Sequence, residues 1–309
     1  MFHEHNLSEL VVLRANMLRL ARNFFYDRDI LEVDTAILSG GASIDTHIDL
    51  MQTECKSFLH SSPEYGMKKL LCHGCADIYQ LSHVFRAGEK GRWHNPEFTM
   101  LEWYRRDFSF QGIISETVEF IGLFLGGKNI EYLSYRMAFK KYLDLDPFTV
   151  EPRVLFSILK SRAVDLPDGI LEEGRDSLLN LALGCLIEPE LGCEGLTVLY
   201  HYPASQSALA KVIESNEGLV AERFEIYFQG VELANGYHEL QDYVEQRRRL
   251  KQANLDRVAL HKPPYPIDEN FLLALEEGLP DCCGVAVGFD RLFMLQQGFD
   301  TISKSIFVR

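Results

Sequence analysis

Apolar residues near the start of the chain follow a helical rhythm. Leu10, Leu13, Met17, Leu20, Ala21 and Phe24 recur three and four positions apart, and Asn6 with Glu9 three residues on is the sequence form of a capping box. A long amphipathic helix is expected to open the chain. The signal turns β-rich across 30–38. Further on, residues 84–86 and 98–104 read as two strands joined by a glycine-containing loop. Successive strand side chains point to opposite faces, so Phe98, Met100, Glu102 and Tyr104 share one face and Thr99, Leu101 and Trp103 the other. Between about 143 and 195 the apolar spacing is helical, with breaks at Pro147, Pro167 and Pro189. Strands resume at 196–200. Residues 224–228, the two-residue turn Gln229-Gly230 and residues 231–234 form a hairpin pattern. If Phe228 pairs with Val231, then Glu225 pairs with Ala234, and Glu225 and Glu232 become diagonal neighbours on one face. Finally, in the strand pattern at 283–289, Gly284, Ala286 and Gly288 share a face, and Asp290 is placed to cap a following helix.

Composition narrows the class. With 47% hydrophobic and 25% charged residues, the 309-residue chain has the balance of a soluble globular protein, as one large domain or two. The first five residues carry no basic region leading into an apolar run, and no stretch approaches the roughly 18 apolar residues of a membrane span, so a cytoplasmic protein is expected. The seven cysteines are odd in number and lack a secreted framework's spacing, which favours reduced thiols. Cys72-His73-Gly74-Cys75 has the look of half a zinc site, but no second half follows, and it reads as buried thiols. A net charge of −14 opposes a polyanionic partner. The one basic cluster, at 246–251, has the spacing of a solvated helix face.

Chemistry concentrates in a few places. An aromatic, a carboxylate and a phenol on the 98–104 face make a floor for a ligand with an aromatic ring and a cationic end, and Arg86 adds a fixed positive charge. Ser62-Pro63-Glu64 reads as a helix start with Ser62 as cap and Pro63 in first position. Two neighbouring carboxylates, Glu225 and Glu232, either flank Mg²⁺ held against phosphates or lie on a solvated edge.

The stretch around Arg86 and His94-Asn95-Pro96-Glu97-Phe98-Thr99 resembles motif 2 of the class II aminoacyl-tRNA synthetases, in the wording of the lysyl, aspartyl and asparaginyl branch. The opening helix with 30–38 resembles motif 1, with Ala36 where the family has proline, and 283–295 resembles motif 3. The resemblance implies an α+β class II catalytic domain, a mainly antiparallel sheet flanked by helices. It would be a single domain over 1–309 with a helical insertion at about 143–195, forming a homodimer. It further implies ATP and Mg²⁺ as cofactors and catalytic roles for Arg86 and Arg291. ATP would also meet Glu89, His94, Asn95, Phe98, Glu232, Leu233 and Gly288, with Glu225 and Glu232 on the metal. The amino acid would meet Ser62, Pro63, Glu64, Glu102, Tyr104, Asn235, Tyr237, Glu239, Gly284 and Ala286. Glu239 matches the family's partner for the lysine ε-ammonium. Strict alternation puts it on the face opposite Glu232, so that role requires a bulge, expected at Asn235-Gly236.

Because the opening helix begins within ten residues, no anticodon-binding barrel is expected before it. With the lysine-type residues Glu64, Glu102, Tyr104 and Glu239, the chain looks like the elongation factor P lysine ligase family. That resemblance implies activation of lysine or (R)-β-lysine as an adenylate and transfer to a lysine ε-amine of elongation factor P. The alternatives are a truncated lysyl-tRNA synthetase, or an inactive amino-acid-sensing paralogue, which should have lost Arg86, Glu232 or Arg291.

Overall fold

A computed structural model describes residues 6–307; the first five residues, read above for a leader, lie outside the described residues. The chain divides into two compact units, one formed by residues 1–126 with 239–309 and the other by 127–238.

The first unit opens with α1 (Leu7–Tyr26), whose capping box forms as expected between Asn6 and Glu9. Met17, Ala21, Phe24 and Phe25 are buried, whereas Leu20, expected on the inner face, is exposed along with Leu7, Val11 and Val12. The β-rich 30–38 stretch yields only two short strands, β1 (Leu31–Glu32) and β2 (Leu38–Ser39). β2 pairs antiparallel with β3 (Phe58–Leu59). After α2 (Glu64–Cys72) come β4 (Ile78–Phe85), β5 (Glu97–Arg106) and α3 (Phe110–Leu125). β1 pairs parallel with β4, and β4 antiparallel with β5. Trp103, on the face of β5 away from Glu102, sits in an aromatic cluster with Phe25 and Phe120, and Phe25 stacks on Tyr79 at 4.3 Å.

The second unit holds β6 (Ile130–Ser134), α4 (Tyr135–Leu143), α5 (Pro152–Ser161), α6 (Arg175–Ala182), β7 (Leu196–Pro203), β8 (Val212–Ser215), β9 (Gly218–Phe228) and β10 (Val231–His238). β10, β9 and β7 are antiparallel in that order, β6 lies parallel to β7, and β8 adds to β9. Tyr135, Phe139, Leu155, Leu178, Leu179 and Leu199 anchor its core. The hairpin turn at Gln229-Gly230 forms as expected, with both residues at positive φ, which matches the right-handed twist of the strands it joins.

The chain then returns to the first unit with α7 (Tyr243–Ala259), α8 (Glu269–Gly278), β11 (Cys282–Gly288) and α9 (Phe289–Gln296). The basic cluster is in part a solvated helix face: Arg248 and Lys251 are exposed, Arg247 and Arg249 are half-buried, and Gln246 and Leu250 turn inward. β11 pairs antiparallel with β5. Each unit is thus a largely antiparallel sheet with helices packed around it. Among the described residues no helix is long and apolar enough to cross a membrane.

Two helix starts differ from expectation. α9 is capped by Gly288, without a side-chain bond. Asp290 lies one turn-position inside, fully buried, where it pairs with Arg14 of α1 at 2.6 Å and accepts the Thr99 N–H of β5 at 2.8 Å. α2 begins at Glu64 with Pro63 in the cap position. Ser62, one residue further out, still accepts the Glu64 N–H at 3.0 Å.

Candidate active site

In the first unit, the register of β5 between β4 and β11 decides which side chains meet. Tyr104 lies opposite Gly284, Glu102 opposite Ala286 and Met100 opposite Gly288, so the expected glycine face of β11 adjoins the expected acidic face of β5. Both faces were legible from strand parity alone. The close approach is strict at Gly284, where a Cβ would come within 2.3 Å of the Tyr104 ring and 2.5 Å of Glu239 Oε1.

Glu102 is buried and accepts two hydrogen bonds, from Ser62 Oγ at 2.7 Å and Tyr104 Oη at 2.6 Å. Burial, reinforced by the nearby Glu64 charge, pushes its carboxyl up to about 8 despite those two donors. Burial likewise raises the Tyr104 phenol well above its ordinary range, so it remains a donor.

Glu64 and Glu239 complete this acidic cage, joined by a residue the sequence reading missed. Lys68 is 1% exposed, and its Nζ lies 2.5 Å from Glu64 Oε1 and 2.6 Å from Glu239 Oε2. Burial opposes its charge, but the two carboxylates outweigh that and hold it above the ordinary lysine range. The only signal in the sequence was the i,i+4 spacing of Glu64 and Lys68, which on most helices marks a surface pair.

The loop between β4 and β5 carries a second group. Arg86 follows the last residue of β4, and its N–H donates to Pro96 O at 2.8 Å. Its guanidinium lies over the Phe98 ring, 5.1 Å from the centroid, and 3.7 Å from Glu89. Arg291 donates to Trp93 O at 3.2 Å and to His94 Nε2 at 2.8 Å. Burial and the adjacent Arg291 charge hold the His94 imidazole below its usual range, so it stays neutral and accepting. Asn95 is buried with its Nδ2 unpartnered, and Arg86 Nε is in the same condition. Orphaned buried donors are rare in folded proteins, and two of them in a loop where Arg86 lies over the Phe98 ring suit an acceptor-rich heterocycle bearing phosphate. Ala87, next to Arg86, donates to Asp49 O at 2.7 Å, and that loop is held by Arg257, fully buried and bonded to Asp45 O, Ile48 O and Asp49. Nothing in the spacing signalled this support.

In the second unit, β9 and β10 carry the candidate metal carboxylates. The register differs from the counted one. Glu232 pairs with Tyr227 but Ala234 pairs with Ile226, so a bulge falls at Leu233 and Glu225 pairs with Asn235, not Ala234. The bulge is real but lies two residues before the expected Asn235-Gly236. It moves Asn235 and Tyr237 to the face of Glu232, and Asn235 Nδ2 donates to Tyr237 Oη at 3.1 Å. Glu225 and Glu232 remain diagonal neighbours across Tyr227. Glu225 itself is enclosed by protein donors, with Arg223 on Oε1 at 2.5 Å and both Tyr202 and Tyr227 on Oε2. Hard carboxylate oxygens suit Mg²⁺. Glu232 and Glu225 are the candidate ligands, and Glu225 would have to exchange a present donor to bind the ion. Among the described residues no group of three His, Cys, Asp or Glu side chains is placed to hold a metal ion.

Comparison with known proteins places the chain in a family. The family model for tRNA synthetases class II (D, K and N) matches residues 1–308. Similar curated proteins include three named elongation factor P--(R)-beta-lysine ligase. That of Proteus mirabilis (strain HI4320) is 45% identical over 94% of this chain and 94% of its own length. That of Photorhabdus laumondii is 44% identical over 94% of this chain and 91% of its own, and that of Edwardsiella ictaluri 44% over 95% and 92%.

Proposed function

The chain belongs to the tRNA synthetases class II (D, K and N) and is a ligase, and from that premise we propose that it activates (R)-β-lysine, or lysine, with ATP and transfers it to a lysine ε-amine of translation elongation factor P. The observation that carries the reading is the cage of Glu64, Glu102, Tyr104 and Glu239, which offers two buried carboxylates and a half-buried one to a ligand with more than one ammonium group. The names of the relatives supply the acceptor.

In this mechanism the amino-acid carboxylate attacks the α-phosphorus of ATP, a C–O–P bond forms and pyrophosphate leaves. Arg86 holds the α-phosphate and meets the charge that grows there. Phe98 and Arg291 flank the adenine, and Asn95 offers its unpartnered Nδ2 to it. The cage fixes the ammonium groups so that the carboxylate points at phosphorus, which removes much of the entropic barrier. Glu232, with Glu225 once it exchanged a present donor, would hold Mg²⁺, and the ion would supply charge neutralisation for phosphate oxygens. The acceptor amine then attacks the acyl carbon, AMP leaves and the nitrogen loses a proton, with no protein nucleophile.

The reading includes one catalytic domain with an insertion at about 143–195, a cytoplasmic location and a homodimer, for which the exposed Leu7, Val11, Val12 and Leu20 on α1 offer an apolar stripe. The test is incubation with ATP and (R)-β-lysine, together with either elongation factor P or total tRNA. A mass increase of one β-lysyl group on elongation factor P is expected; charged tRNA without it would make the chain a truncated lysyl-tRNA synthetase.

A further inference from the structure

Fully buried lysines are rare, and one placed between two carboxylates of a binding cage has consequences for what the cage accepts. Three carboxyl groups, Glu64, Glu102 and Glu239, line the cage, and Lys68 is the cation the protein brings to it. The Lys68 ammonium also ties α2 to the residue following β10, since Glu64 and Glu239 come from those two places and share it. The tyrosines and cysteines around Lys68 add no charge near neutral pH. Burial pushes Cys72 up to about 11 and raises Tyr65, Tyr104 and Cys282 as well. Asp268, which faces Tyr65 from the cap of α8, is paired with Lys69 at 2.7 Å, and Glu277 beside Cys72 is exposed.

We propose that Lys68 is a positioning and specificity-determining residue, which takes up one carboxylate charge and fixes Glu64 and Glu239, so that the remaining charge of the cage is matched by an amino acid with two ammonium groups. The proposal rests on the amino-acid ligase reading. Its arithmetic is direct: three ionised carboxylates are balanced by one protein ammonium and two from the ligand. A mono-ammonium acid leaves one carboxyl protonated and its site unused. Without Lys68, Glu64 and Glu239 face each other as like charges, and the pair must retain a proton that the incoming ligand has to displace.

The experiment compares wild type, Lys68→Met and Lys68→Arg in amino-acid-dependent pyrophosphate exchange between pH 6 and pH 9, with (R)-β-lysine, lysine and norleucine. Wild type should show KM for the diamino acid falling with about one proton per ligand below pH 8. Lys68→Met should raise that KM about tenfold or more at pH 7, steepen the dependence towards about two protons, and leave KM for ATP within about twofold. Lys68→Arg keeps the charge and should keep the one-proton slope and the preference over norleucine. A folded Lys68→Met with wild-type KM and slope overturns the proposal, as does a Lys68→Arg with a two-proton slope. Wild type lacking exchange with every amino acid would instead overturn the ligase reading.

Discussion

Tyr104 donates its phenolic hydrogen to Glu102 at 2.6 Å from two residues further along the same strand, so one face of β5 holds a buried carboxyl beside its own donor. Glu102 is pushed up to about 8 by burial first and the Glu64 charge second. A carboxyl raised in the folded state binds more protons there than in the unfolded chain. The stability linked to it is full below the ordinary carboxyl range, declines as pH rises, and is lost once pH passes about 8. Glu102→Gln should therefore flatten the fall of Tm between pH 5 and pH 8.5 while weakening diamino-acid binding. Parallel Tm curves for the two proteins would contradict the assignment.

Arg86→Ala is expected to lower pyrophosphate exchange by about 10²–10³-fold, the cost typical of losing one donor to a developing charge. The side chain's contacts are the Phe98 ring and a long pair with Glu89, so Tm should hardly move. Near-normal exchange by the folded variant would remove Arg86 from the chemistry.

Ala286 lies opposite Glu102, and its methyl stands on the otherwise glycine face of β11. Ala286→Gly should shift the kcat/KM ratio towards lysine over (R)-β-lysine, by about 10-fold or more for a single methyl in a close-fitting pocket. An unchanged ratio would place isomer discrimination elsewhere.

Asp290→Ala removes the partner of Arg14 and of the Thr99 N–H together. Arg14 keeps its bonds to Thr99 Oγ1 and Ser305 O but loses its counter-charge, and the Thr99 amide is left unpaired; breaking a buried ion pair typically costs about 3–5 kcal/mol. Denaturant unfolding should show that loss, whereas Asp290→Asn, which can still accept from Thr99, should lose less.

What the sequence made legible was set by local geometry. Strand parity put Glu102 with Tyr104 and Gly284 with Ala286, the α1 capping box formed, and the Gln229-Gly230 turn set the pairing of Phe228 with Val231. What stayed hidden depended on long-range packing. The Leu233 bulge is invisible to counting, because an extra residue changes the register without changing the residue types. Lys68 was missed because its second partner, Glu239, lies far along the chain. Asp290 has the composition of a cap and was drawn inward by Arg14.

The pairing of β5 with β11 also sets a timetable for folding. Tyr104 and Gly284 are partners across roughly 180 residues, a loop closure that slows folding far more than it affects stability. At about 5–20 residues per second, a ribosome spends on the order of ten seconds or more between the two strands. The second unit, 127–238, is contiguous and can fold during that interval. The first unit waits with one edge of β5 unpaired, and its binding cage comes into being only after Gly284 has been made.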